Sequence, residues 1–403
     1  MPTRLITPTE AEAAIRQHAK PLPAIRMPLL ELAGSVLRES ITSTRDQPPF
    51  DRVTMDGIAF AFASWQNGRN SFRIAGTQAA GMAPLTLNDS SECLEVMTGA
   101  MLPAGCDCIV PVENIEVRDG VAHLRDDAPA PARKINVHGR GIDSRRGDLL
   151  LPSGQRLGPA EVAVIASNGQ THALVSRAPR IIAISTGDEL IEPGQPLQDW
   201  QISRSNVYGV LASLRQHGYT TLSHDHLPDD LPTLRTRLRV HLDTHDVMIL
   251  SGGVSMGRFD FIPQVLEELG VRVVFHKVAQ RPGKPLWFGV GASGQTVYAL
   301  PGNPVSTLAC LTRYVLPGLQ ASQAATPLAV ETINLAQSYE VKAPLSVFLP
   351  VKLTHDIAGQ CALPQPTQGS GDFTSLIGSV GFVELPPGPR VIAEDLSLPL
   401  YRW

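Results

Sequence analysis

The 403-residue chain contains few charged residues, few aromatic residues and few cysteines. Charged residues make up 18% of it, and 34 basic against 38 acidic side chains give a formal charge of −4. This balance lacks the basic excess that marks nucleic-acid-binding domains. The five cysteines are odd in number and scattered, which argues against a disulfide framework and favours a reducing compartment.

Long apolar segments are also missing from the sequence. No run approaches the roughly 20 residues that a membrane helix needs, and the N-terminus lacks the apolar core of a signal peptide. The sequence therefore predicts a cytoplasmic protein that binds neither membrane nor nucleic acid. It contains no Walker A motif, which disfavours P-loop chemistry.

Glycine and proline are abundant, with 34 of each. They show no collagen-like period, so we expect them in loops, turns and domain junctions. Hydrophobic residues make up 43% of the chain, which is close to the usual fraction for a globular protein.

Three regions differ in pattern along the chain. Residues 47–143 carry short apolar stretches between Gly, Pro and Asn, which predicts a β-rich domain. Residues 180–319 alternate strand and helix patterns, with a strand predicted at 219–223, and this indicates an open α/β sheet with helices on both faces. Residues 326–403 predict a small C-terminal β domain. Helices are predicted at 8–20, capped by Thr7, and at 29–40.

Three glycine-containing loops each follow a predicted strand of the α/β region. They are STGDEL (185–190), ILSGGVSMG (249–257) and ALPGNPVS (299–306). Because each loop follows the carboxyl end of a strand, all three should lie at one edge of the sheet. One such loop alone is more often an ordinary turn, but three together favour a phosphate-bearing ligand held by backbone N–H groups and helix N-termini.

Charged residues occur in the same places. Asp188, Glu189 and Asp260 follow predicted strands, and carboxylates beside a phosphate site suggest Mg²⁺, with helix capping as the alternative. Arg281 and Lys284 of QRPGKP could bind an oxyanion, although exposed basic residues are more often merely solvated. His224 and His226 could bind a metal, but no third ligand is evident.

Two further motifs lie in the β-rich region. PPFDRVTMDGIA (48–59) contains Asp56, and MTGAMLPAGCD (97–107) contains Thr98. Polar residues this close to Gly and Pro are typical of a shaped loop. Taken alone, such loops are common and do not identify a function.

These motifs, in this order, resemble the molybdopterin molybdenumtransferase family, which includes MoeA proteins and the gephyrin E domain. The resemblance covers nearly the whole chain. It is carried by PPFD..TMDG.A, MTGA.LP.G.D, RG.D (140–143), STGDEL, PDD (228–230), SGGVS.G..D, PGKP and LPGNPVS.

The resemblance implies that adenylylated molybdopterin and molybdate are converted to molybdenum cofactor with release of AMP, in a Mg²⁺-dependent step. It implies a homodimer whose cleft pairs the α/β domain of one subunit with the β-rich domain of the other. Molybdopterin adenylyltransferase and molybdoenzyme maturation proteins are compatible partners.

The resemblance also implies a multidomain fold that combines α/β and β domains. A discontinuous N-terminal linker and dimerisation domain would span 1–46 plus 144–176, and a β-rich insertion domain 47–143. An open three-layer α/β/α molybdopterin-binding domain would span 177–325, and a small C-terminal β-barrel 326–403.

Residue roles are carried over from the family motifs. Asp56, Asp143, Glu189 and Asp260 would be catalytic, and Asp188, Glu189 and Asp260 would bind the metal. Substrate would be bound by Thr98, Arg140, Ser251, Gly252, Gly253, Arg281, Lys284, Pro301, Gly302, Asn303 and Pro304.

The chain departs from the usual family pattern at Arg52-Val53, Ile58, Ile142 and Arg204. Because these departures fall in the proposed cleft, they motivate an alternative hypothesis of a non-catalytic molybdopterin-binding or scaffold paralogue. A different nucleotide-processing enzyme on the same kind of sheet is a third hypothesis.

Overall fold

A computed structural model describes residues 5–253, 261–356 and 359–403. The chain divides into two compact units. The α/β unit comprises Met1–Glu39, Ser153–Pro159 and His172–Trp403, and the β-rich unit comprises Ser40–Pro152 and Ala160–Thr171. The predicted division into four domains at 46, 143, 176 and 325 stays a prediction.

The α-helices of the described residues are Pro8–His18 (α1), Phe62–Gln66 (α2), Pro159–Ser167 (α3), Asn206–Gln216 (α4), Leu231–Thr244 (α5), Ile262–Glu268 (α6), Pro304–Cys310 (α7) and Leu316–Ser322 (α8). A π-helix, Leu311–Val315, joins α7 to α8, and 3₁₀ turns occupy Leu29–Glu31, Val112–Asn114 and Thr374–Leu376. Every helix in the part of the chain that the structure describes is too short or too polar to cross a bilayer.

The strands of the described residues are, in chain order, Ala24–Pro28 (β1), Ile41–Thr42 (β2), Arg52–Val53 (β3), Gly57–Phe60 (β4), Ser71–Gln78 (β5), Glu92–Val96 (β6), Cys108–Pro111 (β7), Ile115–Arg118 (β8), Val121–Leu124 (β9), Val137–His138 (β10), Leu149–Leu151 (β11), His172–Ser176 (β12), Ile181–Thr186 (β13), Leu190–Ile191 (β14), Ile202–Ser203 (β15), Leu222–Leu227 (β16), Val247–Ser251 (β17), Arg272–His276 (β18), Gln280–Arg281 (β19), Trp287–Val290 (β20), Thr296–Leu300 (β21), Glu331–Ile333 (β22), Tyr339–Val341 (β23), Ser346–Asp356 (β24), Gly359–Pro364 (β25), Gly381–Leu385 (β26), Arg390–Ile392 (β27) and Leu398–Arg402 (β28).

The α/β unit contains a six-stranded sheet in the order β16-β13-β17-β21-β20-β18. The first four strands are parallel, while β20 runs antiparallel to both β21 and β18. Successive side chains of a strand point to opposite faces. Ile181 and Ala183 therefore join the core beneath α1, α4 and α7, while Ile182 and Ile184 join the core beneath α5 and α6. This confirms the predicted α/β sheet with helices on both faces.

The first helix begins where the sequence predicts it. Thr7 accepts a hydrogen bond from the Glu10 backbone N–H, and the Glu10 side chain accepts one from the Thr7 backbone, which completes a capping box. The prediction of a helix at 29–40 is wrong. Of this segment, Leu29–Glu31 forms a 3₁₀ turn, and Gly34 adopts a φ of +82°. Leu37 instead takes part in a β-bridge with Val175.

The strand predicted at 219–223 lies further along, at Leu222–Leu227. Among the described strands it pairs only with β13, so it is an edge strand, and its sequence LSHDHL is polar. Polar residues are tolerated on such a strand, so its apolar pattern is weak.

The C-terminal strands form a second sheet of the α/β unit, in the order β19-β24-β26-β28-β22, with β25 also paired to β24. Its core contains Leu349, Val351, Val383 and Leu400. Strand β19 pairs in parallel with β24, so this sheet extends to the QRPGKP segment.

The β-rich unit contains a six-stranded sheet in the order β7-β4-β6-β5-β9-β8. Phe60 and Phe72 stack in its core with ring centroids 4.3 Å apart. Two short ladders, β3 with β10 and β2 with β11, lie outside this sheet. The unit confirms the prediction of β structure in this region.

Candidate functional site

The three glycine loops begin side by side. Gly187, Gly252 and Pro301 directly follow β13, β17 and β21, which are neighbours in the sheet. The Gly252 N–H donates to the Leu300 carbonyl at 3.2 Å, which ties the second loop to the third strand. Residues 254–260, with Asp260, lie outside the described residues.

Two glycines are required by the geometry of these loops. Gly252 has a φ of +102°, and a Cβ there would lie 2.8 Å from the Thr186 carbonyl oxygen. Gly253 has a φ of +65°, and its Cβ would lie 2.8 Å from Ile262 Cγ1. At both positions the backbone conformation and the lack of space exclude a side chain. A ligand at this edge of the sheet can therefore approach the backbone directly.

A polar network holds the loop that follows β21. Asn206 Nδ2 donates to Ser251 Oγ at 2.9 Å and to the Gly302 carbonyl at 2.7 Å. Thr307 Oγ1 donates to the Pro301 carbonyl at 2.7 Å. Asn206 and Thr307 were not among the predicted site residues, because a single Asn or Thr at the start of a helix carries no distinctive spacing.

Asp188 and Glu189 are exposed on the loop after β13. Asp188 Oδ1 accepts a hydrogen bond from the Asp229 N–H at 3.2 Å, and a Cβ on Gly187 would lie 2.5 Å from a Glu189 carboxylate oxygen. Asp230 caps α5 by accepting from the Thr233 N–H at 2.9 Å. Within the described ranges, no group of three His, Cys, Asp or Glu side chains could hold a metal.

A cavity of about 770 Å³ lies beside the LPGNP loop in the α/β unit. Arg281 and Lys284 line it together with Pro301 and Asn303, and both basic side chains are exposed. The structure thus brings two predicted cations to the same cavity as the LPGNP loop. Its lining also includes residues 339–343, 345, 347–350 and 366–370.

The segment 366–370 was missed by the sequence analysis. Ser370 Oγ accepts from Asn303 Nδ2 at 2.7 Å, and the Ser370 carbonyl accepts from the Val305 N–H at 3.0 Å. These bonds attach the segment to the first turn of α7. The Gly and Ser of Gln368-Gly369-Ser370-Gly371 were the available signal, but such residues are typical of any loop.

In the β-rich unit, the TMDG and MTGA motifs meet at Asp56. Its Oδ1 accepts hydrogen bonds from the Thr98 backbone N–H at 2.6 Å and from Thr98 Oγ1 at 2.8 Å. These two bonds stabilise the carboxylate and lower the pKa of Asp56. Asp56 is exposed and ionised at neutral pH, and Thr98 holds it in one orientation.

The RG.D motif lies next to the PPFD segment. Strand β10 pairs with β3, so His138 lies opposite Arg52. The Arg140 N–H donates to Asp51 Oδ1 at 2.8 Å, and Arg140 Nε donates to Asp46 Oδ2 at 2.7 Å.

Asp143 is exposed and has one notable neighbour. Its Oδ1 lies 2.9 Å from His138 Nε2, which forms an ion pair with it when protonated. Ile142 beside it is 66% exposed, so this departure from the family pattern fills no core.

Arg204 is the one departure that the α/β unit buries. Its side chain is 7% exposed and forms an ion pair with Glu192, and Nη1 lies 3.5 Å from Ser185 Oγ. The Arg204 backbone N–H donates to the Ile191 carbonyl at 2.9 Å, alongside the pairing of β14 with β15. Arg204 thus anchors the segment that follows Asp188 and Glu189 instead of projecting into solvent.

His226 lies next to this ion pair, with Nδ1 3.1 Å from Ser185 Oγ. Burial and the nearby Arg204 charge lower the pKa of His226. Since no three-ligand group occurs among the residues described, a metal site at His224 and His226 gains no support from the structure.

Known proteins resemble the chain along nearly its whole length. Residues 6–169 match the MoeA N-terminal region (domain I and II), and residues 182–321 match the probable molybdopterin binding domain. A molybdopterin molybdenumtransferase of Synechocystis sp. is 40% identical over 92% of this chain and 93% of its own length. One of Staphylococcus aureus is 29% identical over 94% and 91%.

A solved structure of a molybdopterin biosynthesis MoeA protein from Pyrococcus horikoshii gives a TM-score of 0.78 at 29% identity and covers 99% of each chain. The 40% identity over almost the whole chain confirms the family that the motifs predicted. The chain belongs to the molybdopterin molybdenumtransferase family.

Proposed function

We propose that this chain catalyses a late step of molybdenum cofactor biosynthesis, in which molybdate is inserted into adenylylated molybdopterin and AMP is released. The observation that carries the proposal is the 40% identity to a molybdopterin molybdenumtransferase over 92% of the chain. The cavity that Arg281 and Lys284 line together with the LPGNP loop supports the same reaction.

The glycine loops suit the pterin and its phosphates. Ser251, Gly252 and Gly253 would bind phosphate oxygens through backbone N–H groups and the serine hydroxyl. Pro301, Gly302, Asn303 and Pro304 would line the pterin, and the first turn of α7 would favour the negative charge. The polar network of Asn206 and Thr307 supports this role because it holds both loops in place.

Arg281 and Lys284 would bind molybdate. The anion is tetrahedral and doubly charged, and charge-assisted hydrogen bonds from two cations would compensate for the water that it loses. Both side chains line the cavity of about 770 Å³, which can hold the anion beside a pterin side chain. Their task would be to hold molybdate where the dithiolene sulfurs of the pterin can reach it.

Magnesium fits the donors on the loop after β13. Mg²⁺ is typically held by one or two carboxylates, with waters and substrate phosphates completing its shell. Asp188 and Glu189 are exposed carboxylates three and two residues before Ile191, on a loop fixed by β14 and β15. We assign these two residues, with Asp260, to the metal, which would neutralise charge on the phosphates during AMP release.

The β-rich unit would act from the second subunit of a homodimer. Asp56, Thr98, Arg140 and Asp143 are exposed in the described structure, as a surface that meets substrate must be. Asp56 and Asp143 would complete the reaction centre. In this assembly, residues 326–403 would form a separate barrel domain, and the dimer would work in the cytoplasm beside an adenylyltransferase and maturation proteins of molybdoenzymes.

The alternative of a non-catalytic paralogue is less well supported than an active transferase. Among the departures, Arg204 is buried in an ion pair with Glu192, and Ile142 is exposed beside Asp143. Neither replaces one of the acids that we assign to the reaction. Asp56, Asp143 and Glu189 are all present and exposed.

Release of AMP tests the proposal. Purified protein is incubated with adenylylated molybdopterin, molybdate and Mg²⁺, and AMP is measured by chromatography. We expect release that requires molybdate and Mg²⁺ and that falls at least about 100-fold in Glu189→Gln. Glu268→Gln is the matched control, because Glu268 pairs with Arg235 on the surface. Tight pterin binding without AMP release would instead establish the scaffold alternative.

A further inference from the structure

The QRPGKP segment presents its two cations on a backbone that is fixed from the buried side. Arg281 and Lys284 are exposed, whereas Gln280 has no exposed surface. The Val278 N–H donates to the Lys284 carbonyl at 2.9 Å, which closes the segment into a loop. The shape of this loop therefore determines where both cations stand.

A chain of buried polar contacts reaches this loop from beneath. Gln280 Nε2 donates to the Pro282 carbonyl at 3.2 Å and lies 3.4 Å from Cys310 Sγ. The Tyr314 hydroxyl donates to Gln280 Oε1. Cys310 Sγ in turn lies 3.8 Å from the Gly283 carbonyl oxygen. Gln280, Cys310 and Tyr314, which we call the buried strut, thus contact two backbone carbonyls of the loop.

The QRPGKP loop packs so closely on the buried strut that a side chain at Gly283 would clash. Gly283 has a φ of +88°, and a Cβ there would lie 2.6 Å from Cys310 Sγ and 2.7 Å from Gln280 Nε2. Cys310 and Tyr314 themselves have no exposed surface, and they lie on α7 and the π-helix that follows it. Helix α7 begins after Asn303, so one continuous helical segment supports both the LPGNP loop and the QRPGKP loop.

We propose that the buried strut of Gln280, Cys310 and Tyr314 positions the QRPGKP loop and thereby sets the affinity for the tetrahedral oxyanion substrate. The proposal rests on the proposed function, because it assigns molybdate to Arg281 and Lys284. The three residues are positioning residues, since their contacts are with the loop backbone and with each other.

The physical reason is preorganisation. Arg281 and Lys284 have flexible side chains, so a backbone that is fixed before binding lowers the cost of bringing both cations to one anion. A buried amide that loses its partner must find another or move, and the loop would then sample several shapes. The substrate anion would have to select one of them at a cost in affinity.

Tyr314→Phe tests the strut, because it removes the hydroxyl and keeps the ring. We expect the KM for molybdate to rise about tenfold, with kcat and the KM for adenylylated molybdopterin within about twofold of the wild type. Calorimetric titration of the protein with sodium molybdate alone should show affinity weakened by the same factor. Gln280→Met should act similarly, and the double variant should be no worse than the more severe single variant.

Tyr298→Phe is the matched control. Tyr298 is as buried as Tyr314 and lies in the same core, where its ring packs on Phe288. It is not part of the buried strut. If this control weakens molybdate binding as much as Tyr314→Phe does, loss of any core hydroxyl explains the result and the proposal fails. It also fails if folded Tyr314→Phe binds molybdate as tightly as the wild type, or if the wild type binds no molybdate. If molybdate binds but no AMP is released, the proposed function fails. The calorimetric titration with molybdate still tests the role of the strut in that case.

Discussion

At the scale of single residues, the clearest electrostatic effect comes from the two hydrogen bonds that Thr98 donates to the Asp56 carboxylate. They lower the pKa of Asp56, so the carboxylate stays charged as the pH falls. Thr98→Val removes the hydroxyl bond and keeps the backbone bond. The pKa of Asp56 should therefore rise, and the acidic limb of the AMP-release profile should shift to higher pH.

The pH profile of AMP release measures this effect. Thr98→Ser keeps the hydroxyl and should retain the wild-type limb. If the valine variant shows the wild-type limb, the charge on Asp56 does not limit the reaction on the acidic side.

Arg204 provides a second test at this scale. Glu192→Gln removes the charged partner of the Arg204 guanidinium, whose side chain is only 7% exposed. We expect a loss of about 1–3 kcal/mol in the free energy of unfolding, because the buried charge loses its partner. Urea denaturation checks this, and Glu268→Gln, from a surface pair, should change stability less. If both variants lose the same free energy of unfolding, the burial of Arg204 adds nothing to the stability that its ion pair provides.

Sequence reasoning could identify Arg204 as unusual but could not predict its partner. Glu192 lies twelve positions earlier, and the two meet because β14 pairs with β15. Strands of two residues carry no periodic pattern. The positions of Asp188, Glu189, Arg281 and Lys284 beside strands of the α/β unit were predictable because each belongs to a longer motif after or between predicted strands. Gln280 and Tyr314 were not, since their role depends on contacts made inside the core.

At the scale of elements, the glycine loops can be tested by comparing two glycines. Gly252 and Gly270 both have positive φ, but a Cβ on Gly252 would lie 2.8 Å from the Thr186 carbonyl, whereas a Cβ on Gly270 would meet nothing within 4 Å. Gly270→Ala should cost about 1 kcal/mol of stability for its backbone conformation alone. Gly252→Ala should cost more and should also weaken pterin binding.

Thermal unfolding and calorimetric titration with molybdopterin separate these effects. If Gly252→Ala binds the pterin as the wild type does, close backbone approach is not how this loop binds its ligand. Gly270→Ala should leave binding unchanged, since Gly270 follows α6 and belongs to none of the three loops.

The same scale shows which elements the sequence could predict. Strands β13, β17 and β21 are buried on both faces, and their continuous apolar runs identified them. The edge strand β16 and the segment 29–40 were misassigned, because the first is polar and the second has apolar residues at a spacing that fits a helix. There, contacts with distant strands outweigh local preference.

At the scale of the whole molecule, the proposed cleft requires two subunits, and mixed dimers test this. Asp56→Asn and Glu189→Gln would each inactivate both sites of their own homodimer. A mixed dimer would contain one site with both substitutions and one site with neither. Equal amounts of the two proteins, unfolded and refolded together, should recover about one quarter of wild-type AMP release.

No recovery, despite mixed dimers shown by mass spectrometry, would place Asp56 and Glu189 of one chain in the same site. Refolding each variant alone is the control and should give no activity.

The central claim is that this chain makes active molybdenum cofactor, and one measurement tests it most directly. The gene is expressed in a bacterial strain that lacks its own molybdenum insertase, and the activity of a molybdoenzyme of that strain is assayed. The account predicts that the wild-type chain restores this activity and that Glu189→Gln, expressed to the same level, does not. No restoration by the folded wild-type chain, or equal restoration by Glu189→Gln, would contradict it.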